Sequence, residues 1–118
     1  MNRPTRFYSK RQETAVAKAL DGKRTANSGA TKWSKGDVRT DEWLIECKTC
    51  EKAKASFSIK REWLDKNKEE AFAMSKSYNA LAFDFGNGSK RYYVVDEKTF
   101  IKMKEALETN GTGTSIEV

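Results

Sequence analysis

The sequence predicts an α/β (α+β) fold in which a central mixed β-sheet is flanked by helices. Three observations favour this class. Apolar residues recur at helical spacing in three segments, two pairs of short apolar runs are each joined by a turn signal, and these helices and hairpins alternate along the chain. A chain of 118 residues is large enough for one hydrophobic core and too small for two. We therefore expect a single domain over residues 1–118.

The first predicted elements are a helix, a loop and a β-hairpin. Apolar residues at helical spacing predict a helix over residues 10–21, which a capping-box pattern beginning at Ser9 opens and a glycine closes. Residues 23–36 are rich in small polar residues and lysine without periodicity, so we expect a loop or an irregular strand. Runs at residues 37–40 and 43–49 flank a polar Asp-Glu turn and predict a hairpin.

The second half of the chain predicts a further helix, hairpin and helix. Helical spacing covers residues 61–78, and short apolar runs at residues 80–85 and 91–95 are joined by Gly-Asn-Gly-Ser, a strong hairpin signal. Helical spacing returns over residues 98–107. Residues 109–118 are rich in Gly and Thr, and we expect a loose tail there.

The charge of the chain indicates a nucleic-acid partner. The net charge is +6, and residues 1–40 carry ten Lys or Arg against three acidic residues, so nearly all the excess lies in the first third of the chain. Basic side chains neutralise phosphates and release counterions, which favours DNA binding over the alternative of a merely charged surface. The candidate DNA-binding residues are Lys10, Arg11, Lys23, Arg24, Lys32, Lys35 and Arg39.

Several classes of protein are disfavoured by composition. No apolar run approaches the roughly 20 residues that span a bilayer, and the N-terminus lacks a secretory stretch, so we expect a cytoplasmic protein without membrane association. Cys47 and Cys50 have the spacing of a redox motif or half a zinc site. A structural zinc site needs four Cys or His ligands and the chain has no histidine, so ordinary thiols are the favoured interpretation.

Two charged residues on an apolar strand form the most informative pattern. Glu46 and Lys48 are two residues apart, so both project from one face of the predicted strand, while Cys47 points to the other. With the Asp-Glu dipeptide as the loop, counting back along the hairpin places Asp37 directly opposite Glu46. Opposed residues have Cβ atoms about 4.5–5.5 Å apart, so the two carboxylates would repel one another unless a cation lay between them.

Mg²⁺ or Mn²⁺ suits such a site, because both ions prefer hard oxygen ligands and keep water positions open. A metal held there can polarise a phosphate oxygen and lower the pKa of bound water, while Lys48 orients the water or steadies developing negative charge. These are the components of phosphodiester hydrolysis. The alternative is that Glu46 and Lys48 form an ordinary surface ion pair, which we would prefer for an isolated Glu-x-Lys.

The pattern resembles the PD-(D/E)xK nuclease superfamily, in which an acid precedes Glu-x-Lys by a variable gap. Asp37, Glu46 and Lys48 match it, and Gly36 stands where the name of the superfamily expects Pro. The first half of the chain is also similar to archaeal-type Holliday junction resolvases, which have a glutamate on the first helix and an Arg-x-x-x-Ser-Gly segment. Glu13 and residues 24–29 match these features.

The resemblance implies a restriction-endonuclease-like core and a role for each motif residue. By it, the metal ligands would be Glu13, Asp37, Glu46 and the backbone carbonyl of Cys47. Lys48 would be catalytic, and Ser28 would lie near the scissile phosphate.

The expected function is a Mg²⁺-dependent endonuclease that hydrolyses phosphodiester bonds in branched DNA, such as four-way junctions, in DNA recombination and repair. A homodimer is expected, because paired cuts need two active sites and a two-fold dimer supplies them. A general or nicking nuclease of the same superfamily is the first alternative. The second is a non-catalytic nucleic-acid-binding module, which would keep the basic segment and have no need for Asp37, Glu46 and Lys48 together.

Overall fold

The computed structural model of the chain describes residues 5–25, 37–88 and 90–110. Within these ranges three helices and five strands alternate along the chain, which confirms the predicted mixture of helices and sheet. The elements are α1 (Thr5–Leu20), β1 (Lys23–Arg24), β2 (Val38–Arg39), β3 (Trp43–Lys48), α2 (Arg61–Ala73), β4 (Tyr78–Phe83), β5 (Tyr92–Val94) and α3 (Glu97–Asn110).

The strands of the described chain form one mixed sheet in the order β1-β2-β3-β4-β5. Neighbouring strands are antiparallel except β3 and β4, which are parallel and are connected through α2. Both predicted hairpins are present, as the β2–β3 and β4–β5 pairs. The segment after α1 contributes the two-residue strand β1, which agrees with the irregular strand expected at its start.

The side chains of β3 alternate between two helical layers. On one face Ile45 packs in a buried cluster with Val16 of α1 and Val38 of β2, and Cys47 lies against that cluster. On the other face Leu44 is buried, and its carbonyl accepts a hydrogen bond of 3.4 Å from Asn67 of α2. Successive side chains of β3 therefore face different helices, and α1 and α2 pack on opposite sides of the strand.

The first helix begins five residues earlier than predicted, at Thr5. The capping-box interpretation is therefore wrong, because Gln12 lies inside α1 and makes tertiary contacts through its side chain. The predicted end is confirmed. Asp21 adopts a left-handed φ of 53°, and the Gly22 N–H donates to the carbonyl of Ala17 at 2.8 Å, as in a Schellman motif.

The second helix is shorter than the predicted 61–78 and ends at Ala73. Ser75 has a φ of 58°, its N–H donates to the Phe72 carbonyl at 3.1 Å, and the Lys76 N–H donates to the Ala71 carbonyl at 2.8 Å. This is another Schellman ending, with serine where glycine is usual, and no glycine in the sequence marks it. The chain then enters β4 at Tyr78.

The third helix extends the predicted 98–107 at both ends. Asp96 caps it by accepting a hydrogen bond of 2.8 Å from the Thr99 N–H. The helix runs to Asn110, so residues 109 and 110 are helical, and the rest of the expected loose tail lies outside the described residues. In the described part of the chain no helix has the length and apolar character needed to cross a membrane.

Candidate active site

The β2–β3 hairpin places Asp37 against Glu46. The observed partners are Val38 with Ile45 and Arg39 with Leu44, so one further step along the ladder sets Asp37 opposite Glu46, as the sequence predicts. The Asp37 N–H donates to the Ile45 carbonyl at 3.0 Å and fixes this register. In the other direction, the Cys47 N–H donates to Oδ2 of Asp37 at 2.7 Å, which holds the carboxyl group beside β3.

Glu46 and Lys48 share the face of β3 that is turned to α2. The Lys48 Nζ lies 3.8 Å from Oε1 of Glu46, which is an ion pair without the short distance of a direct hydrogen bond. The Lys48 side chain keeps 31% of its accessible surface and the Glu46 side chain keeps 15%. A charged pair this covered differs from the freely exposed surface pair that was the alternative interpretation of Glu-x-Lys.

The environment of Glu46 raises its pKa to about 8, from an ordinary value of 4.5. Burial is the largest cause, because it disfavours the charged carboxylate, and the negative charge of Asp37 and a carboxyl–carboxyl hydrogen bond add to it. Lys48 opposes the shift, and Glu70 of α2 reinforces it. A cation bound between Asp37 and Glu46 would relieve the repulsion that disfavours ionisation of Glu46.

Glu13 of α1 lies near Asp37. Its Oε1 lies 3.5 Å from Nε of Arg24 in β1. Its pKa is raised by burial and by the charge of Asp37, and Arg24 and Lys10 oppose the shift. The thiol of Cys47 is affected by the same acids. Burial raises its pKa, and the charges of Asp37, Glu13 and Glu46 add to the shift. Asp37 is therefore close enough to both Glu13 and Glu46 to raise the pKa of each.

A compact metal cluster is nevertheless not formed. Among the residues that the structure describes, no three His, Cys, Asp or Glu side chains are arranged closely enough to hold an ion. Asp37 and Glu46 are in contact, whereas Glu13 pairs with Arg24. The structure thus brings together two of the three predicted carboxylate ligands and leaves the third, Glu13, paired with a basic side chain.

Glu70 is an acidic residue of this site that sequence reasoning missed. It is buried on α2, and neither of its carboxylate oxygens has a hydrogen-bond partner within the described residues. The Lys66 Nζ is 3.9 Å from Oε1. The sequence contained a signal, because Asn67 and Glu70 interrupt the apolar face of α2 at helical spacing from Trp63. A buried, poorly satisfied carboxylate adds negative charge beside Glu46.

A polar network connects α1 to the ends of β3 and β4. The buried amide of Gln12 donates to the Lys48 carbonyl at 2.7 Å and to Oδ2 of Asp84 at 3.1 Å. Asp84, also buried, accepts from the Thr49 hydroxyl at 2.6 Å and from the Gly86 N–H at 2.8 Å. Gln12 neighbours Glu13 in the helix, so the network fixes the first helix relative to the strand that carries Lys48.

The predicted DNA-binding residues that the structure describes lie on α1 and on the first two strands. Lys10, Arg11, Lys23 and Arg24 are exposed, and Arg39 is half-buried. Arg39 donates to the Arg24 carbonyl at 3.3 Å. The remaining predicted residues, Ser28, Lys32 and Lys35, lie outside the described residues.

Comparison with known proteins found no matching family model, no matching curated protein and no matching solved structure.

Proposed function

We propose that this protein is a metal-dependent DNA endonuclease of the PD-(D/E)xK type. The observation that carries the proposal is the partly buried pair of Asp37 and Glu46, which lies beside the ammonium group of Lys48 at the end of a central strand. The order of elements supports it, since a helix, an antiparallel hairpin, a crossover helix and a parallel strand agree with the α/β core that the resemblance implies.

The donor set fits Mg²⁺ or Mn²⁺. Asp37 and Glu46 supply carboxylate oxygens whose mutual repulsion a divalent cation would relieve, and the proposed set includes Glu13 and the backbone carbonyl of Cys47. Bound there, a divalent ion supplies polarisation of a phosphate oxygen and acidification of water. Glu13 must exchange its contact with Arg24 for this role, and an approaching phosphate gives Arg24 a new partner.

In this proposal, side chains and backbone groups of the protein stabilise the developing charge and position the carboxyl groups. Lys48 presents its ammonium where negative charge develops during phosphodiester hydrolysis, and the Cys47 N–H keeps the Asp37 carboxyl in register. Gln12 fixes the backbone at Lys48 through its carbonyl. These contacts prepare the geometry before substrate arrives, which is the condition for electrostatic catalysis.

We propose branched DNA, such as a four-way junction, as the substrate, with a homodimer as the acting form. The exposed apolar face of α3 supports the dimer. Phe100, Met103 and Leu107 lie along one side of the helix and are each about half exposed. Met103 also borders an apolar groove of about 460 Å³ that Leu20, Trp43 and Tyr93 help to line. Such a contiguous apolar surface is typical of an interface.

The occupant of this face is a second copy of the chain, because the pattern of α3 is self-complementary. In an antiparallel pairing with its two-fold axis between Met103 and Lys104, Phe100 of one copy meets Leu107 of the other. Glu97 and Lys104 apart, the charges of the first half of α3 are basic and those of the second half are acidic, so Lys102 of one copy approaches Glu105 of the other across the axis. The charged residues are Lys98, Lys102, Lys104, Glu105 and Glu108. An isologous contact of this kind gives a closed dimer.

A panel of labelled DNA substrates tests the proposed substrate. Junction, flap, splayed and linear duplex DNA are incubated with the protein in Mg²⁺, and cleavage is measured for each. We expect paired cuts in the junction at a rate well above that of the duplex. Equal rates on all substrates would favour the general or nicking nuclease, and binding without cleavage on any substrate would favour the non-catalytic module.

A further inference from the structure

The ammonium of Lys48 has a second neighbour besides Glu46. Its Nζ lies 4.6 Å from the centroid of the Trp63 ring, within the range of about 6 Å over which a cation is attracted to an aromatic face. The distance to Oε1 of Glu46 is 3.8 Å. The ammonium therefore lies between a carboxylate on its own strand and an indole on α2.

The chain holds the Trp63 ring in place from two sides. Trp63 is in the first turn of α2, where its backbone N–H donates to the Lys60 carbonyl at 3.1 Å. Behind it, Phe57 lies 6.3 Å away between ring centroids and stacks in turn on Phe83 of β4 at 5.3 Å. This aromatic support makes the indole a fixed platform above the end of β3.

A fixed platform matters because lysine is flexible. Its four-carbon stem has many rotamers, and a single ion pair at 3.8 Å leaves the ammonium free to swing about Glu46 or out to solvent. Once Glu46 shares its charge with another cation, its attraction for Lys48 weakens. The indole carries no net charge to be neutralised and takes up none of the three N–H donors in a full hydrogen bond.

We propose that Trp63 is a positioning residue that holds the Lys48 ammonium toward the reacting phosphate. The effect of Trp63 on catalysis rests on the proposed nuclease function, whereas the contact between Trp63 and Lys48 is a feature of the structure. Lys60 Nζ is also near the ring, at 5.7 Å, but Lys60 is exposed and is the N-cap residue of α2 rather than a residue of β3. It serves as the matched control.

The contact is tested first without any activity. In a protein whose other tryptophans are replaced (Trp33→Phe and Trp43→Phe), emission arises from Trp63 alone. Because a nearby positive charge perturbs the excited indole, Lys48→Met should shift the emission maximum clearly, and Lys60→Met should shift it less. An unchanged spectrum in Lys48→Met would overturn the inference, whether or not the protein cleaves DNA.

The consequence is tested on cleavage. Trp63→Leu should lower kcat by about tenfold and leave KM for DNA nearly unchanged, and Trp63→Phe should restore part of the loss. Trp43→Leu, which removes a ring paired with Tyr78 at the other end of β3, is the control for a merely structural loss. In the single-tryptophan protein, increasingly fluorinated tryptophan at position 63 should lower kcat stepwise, because fluorine weakens the ring's attraction for cations with little change in shape.

The outcomes separate the two proposals. Cleavage by the wild type with equal kcat in Trp63→Leu, or with kcat independent of fluorination, overturns the role of Trp63 alone. Failure of the wild type to cleave any DNA overturns the nuclease proposal, and with it the catalytic consequence of the contact.

Discussion

The Cys47 amide and the Asp37 carboxylate are joined by a hydrogen bond of 2.7 Å that connects two strands across the hairpin. This bond brings the side chain of Asp37, which directly precedes β2, to the backbone between Glu46 and Lys48. The proximity of the two carboxyl groups is therefore built into the hairpin and does not depend on flexible side chains. Its energetic consequences can be measured independently of any reaction.

The first prediction concerns the stability of the metal-free protein. The folded-state pKa of Glu46 is about 8, against 4.5 ordinarily, so the folded protein keeps a proton that the unfolded chain loses between these values. Because the folded state then binds more protons, the free energy of unfolding falls as pH rises through that window. Glu46→Gln should flatten this fall and make the protein more stable than wild type at about pH 8.

Urea denaturation in excess chelator, at several pH values across the window, measures the effect. The exposed Glu69→Gln on α2 is the control, and it should keep the wild-type slope. A variant Glu46→Gln with the wild-type pH dependence would show that the pKa of Glu46 is not raised in the folded protein.

The second prediction concerns Lys48. Lys48→Ala should lower the rate of the chemical step by about 10² or more, which is the scale of losing one preorganised electrostatic group. DNA affinity should change little, because the ammonium lies beside Glu46 and Trp63 and retains 31% of its side-chain surface. Single-turnover rates and binding titrations are compared, and a loss confined to binding would make Lys48 an ordinary phosphate contact.

The register of the hairpin was predictable from the sequence because it depends on local features. A polar dipeptide between two apolar runs fixes the loop, and counting from it places Asp37 opposite Glu46. The positions of Gln12, Glu70 and Trp63 depend instead on how two helices pack on the sheet. Local patterns assigned Gln12 to a helix cap and Trp63 to the apolar face of a helix. Neither pattern indicates which end of a strand the helix will cover, so the contacts of both residues with Lys48 were missed.

The helix ends show the same limit. The end of α1 was predictable because Gly22 follows it, although the residue in the left-handed conformation there is Asp21. A Cβ at Gly22 would lie only 2.6 Å from the carbonyl oxygen of Arg39. The end of α2 has Ser75 in the left-handed conformation and no glycine, so the predicted helix ran on into β4. Side-chain type identifies a chain reversal only where the residue is the usual one.

The third prediction concerns the DNA surface. Each Lys or Arg that neutralises a phosphate adds about 0.9 to the slope of log affinity against log salt, so Lys10→Ala with Lys23→Ala should flatten the slope by roughly two. Both residues are exposed; Lys10 is close enough to Glu13 to lower its pKa, and Lys23 precedes Arg24 in β1. The sequence predicts the same effect for Lys32 with Lys35.

A salt titration on junction and duplex DNA measures these slopes. Lys68→Ala with Lys98→Ala is the charge-matched control, because both lysines lie near Asp96 rather than near the acidic pair. A slope that is equally flattened by the control pair, or unchanged by the test pair, would remove the N-terminal segment as the DNA surface.

The fourth prediction concerns oligomeric state. Leu107→Glu should dissociate the proposed dimer, because it places a charge opposite Phe100 of the second copy in the antiparallel pairing of α3. Thr109→Glu, an exposed position on the same helix, is the control and should leave the mass unchanged. Sedimentation or light scattering gives the mass directly, and a wild-type protein that is monomeric at all concentrations would rule out this pairing.

The central claim, that Asp37 and Glu46 form a metal-dependent catalytic site, is tested most directly by cleavage of a labelled four-way junction with and without divalent ions. We predict cleavage in Mg²⁺ or Mn²⁺, none in excess chelator, and none in Asp37→Asn or Glu46→Gln, while Glu69→Gln cleaves normally and all variants still bind the junction. Cleavage that persists in chelator, or full activity in both site variants, would contradict the account.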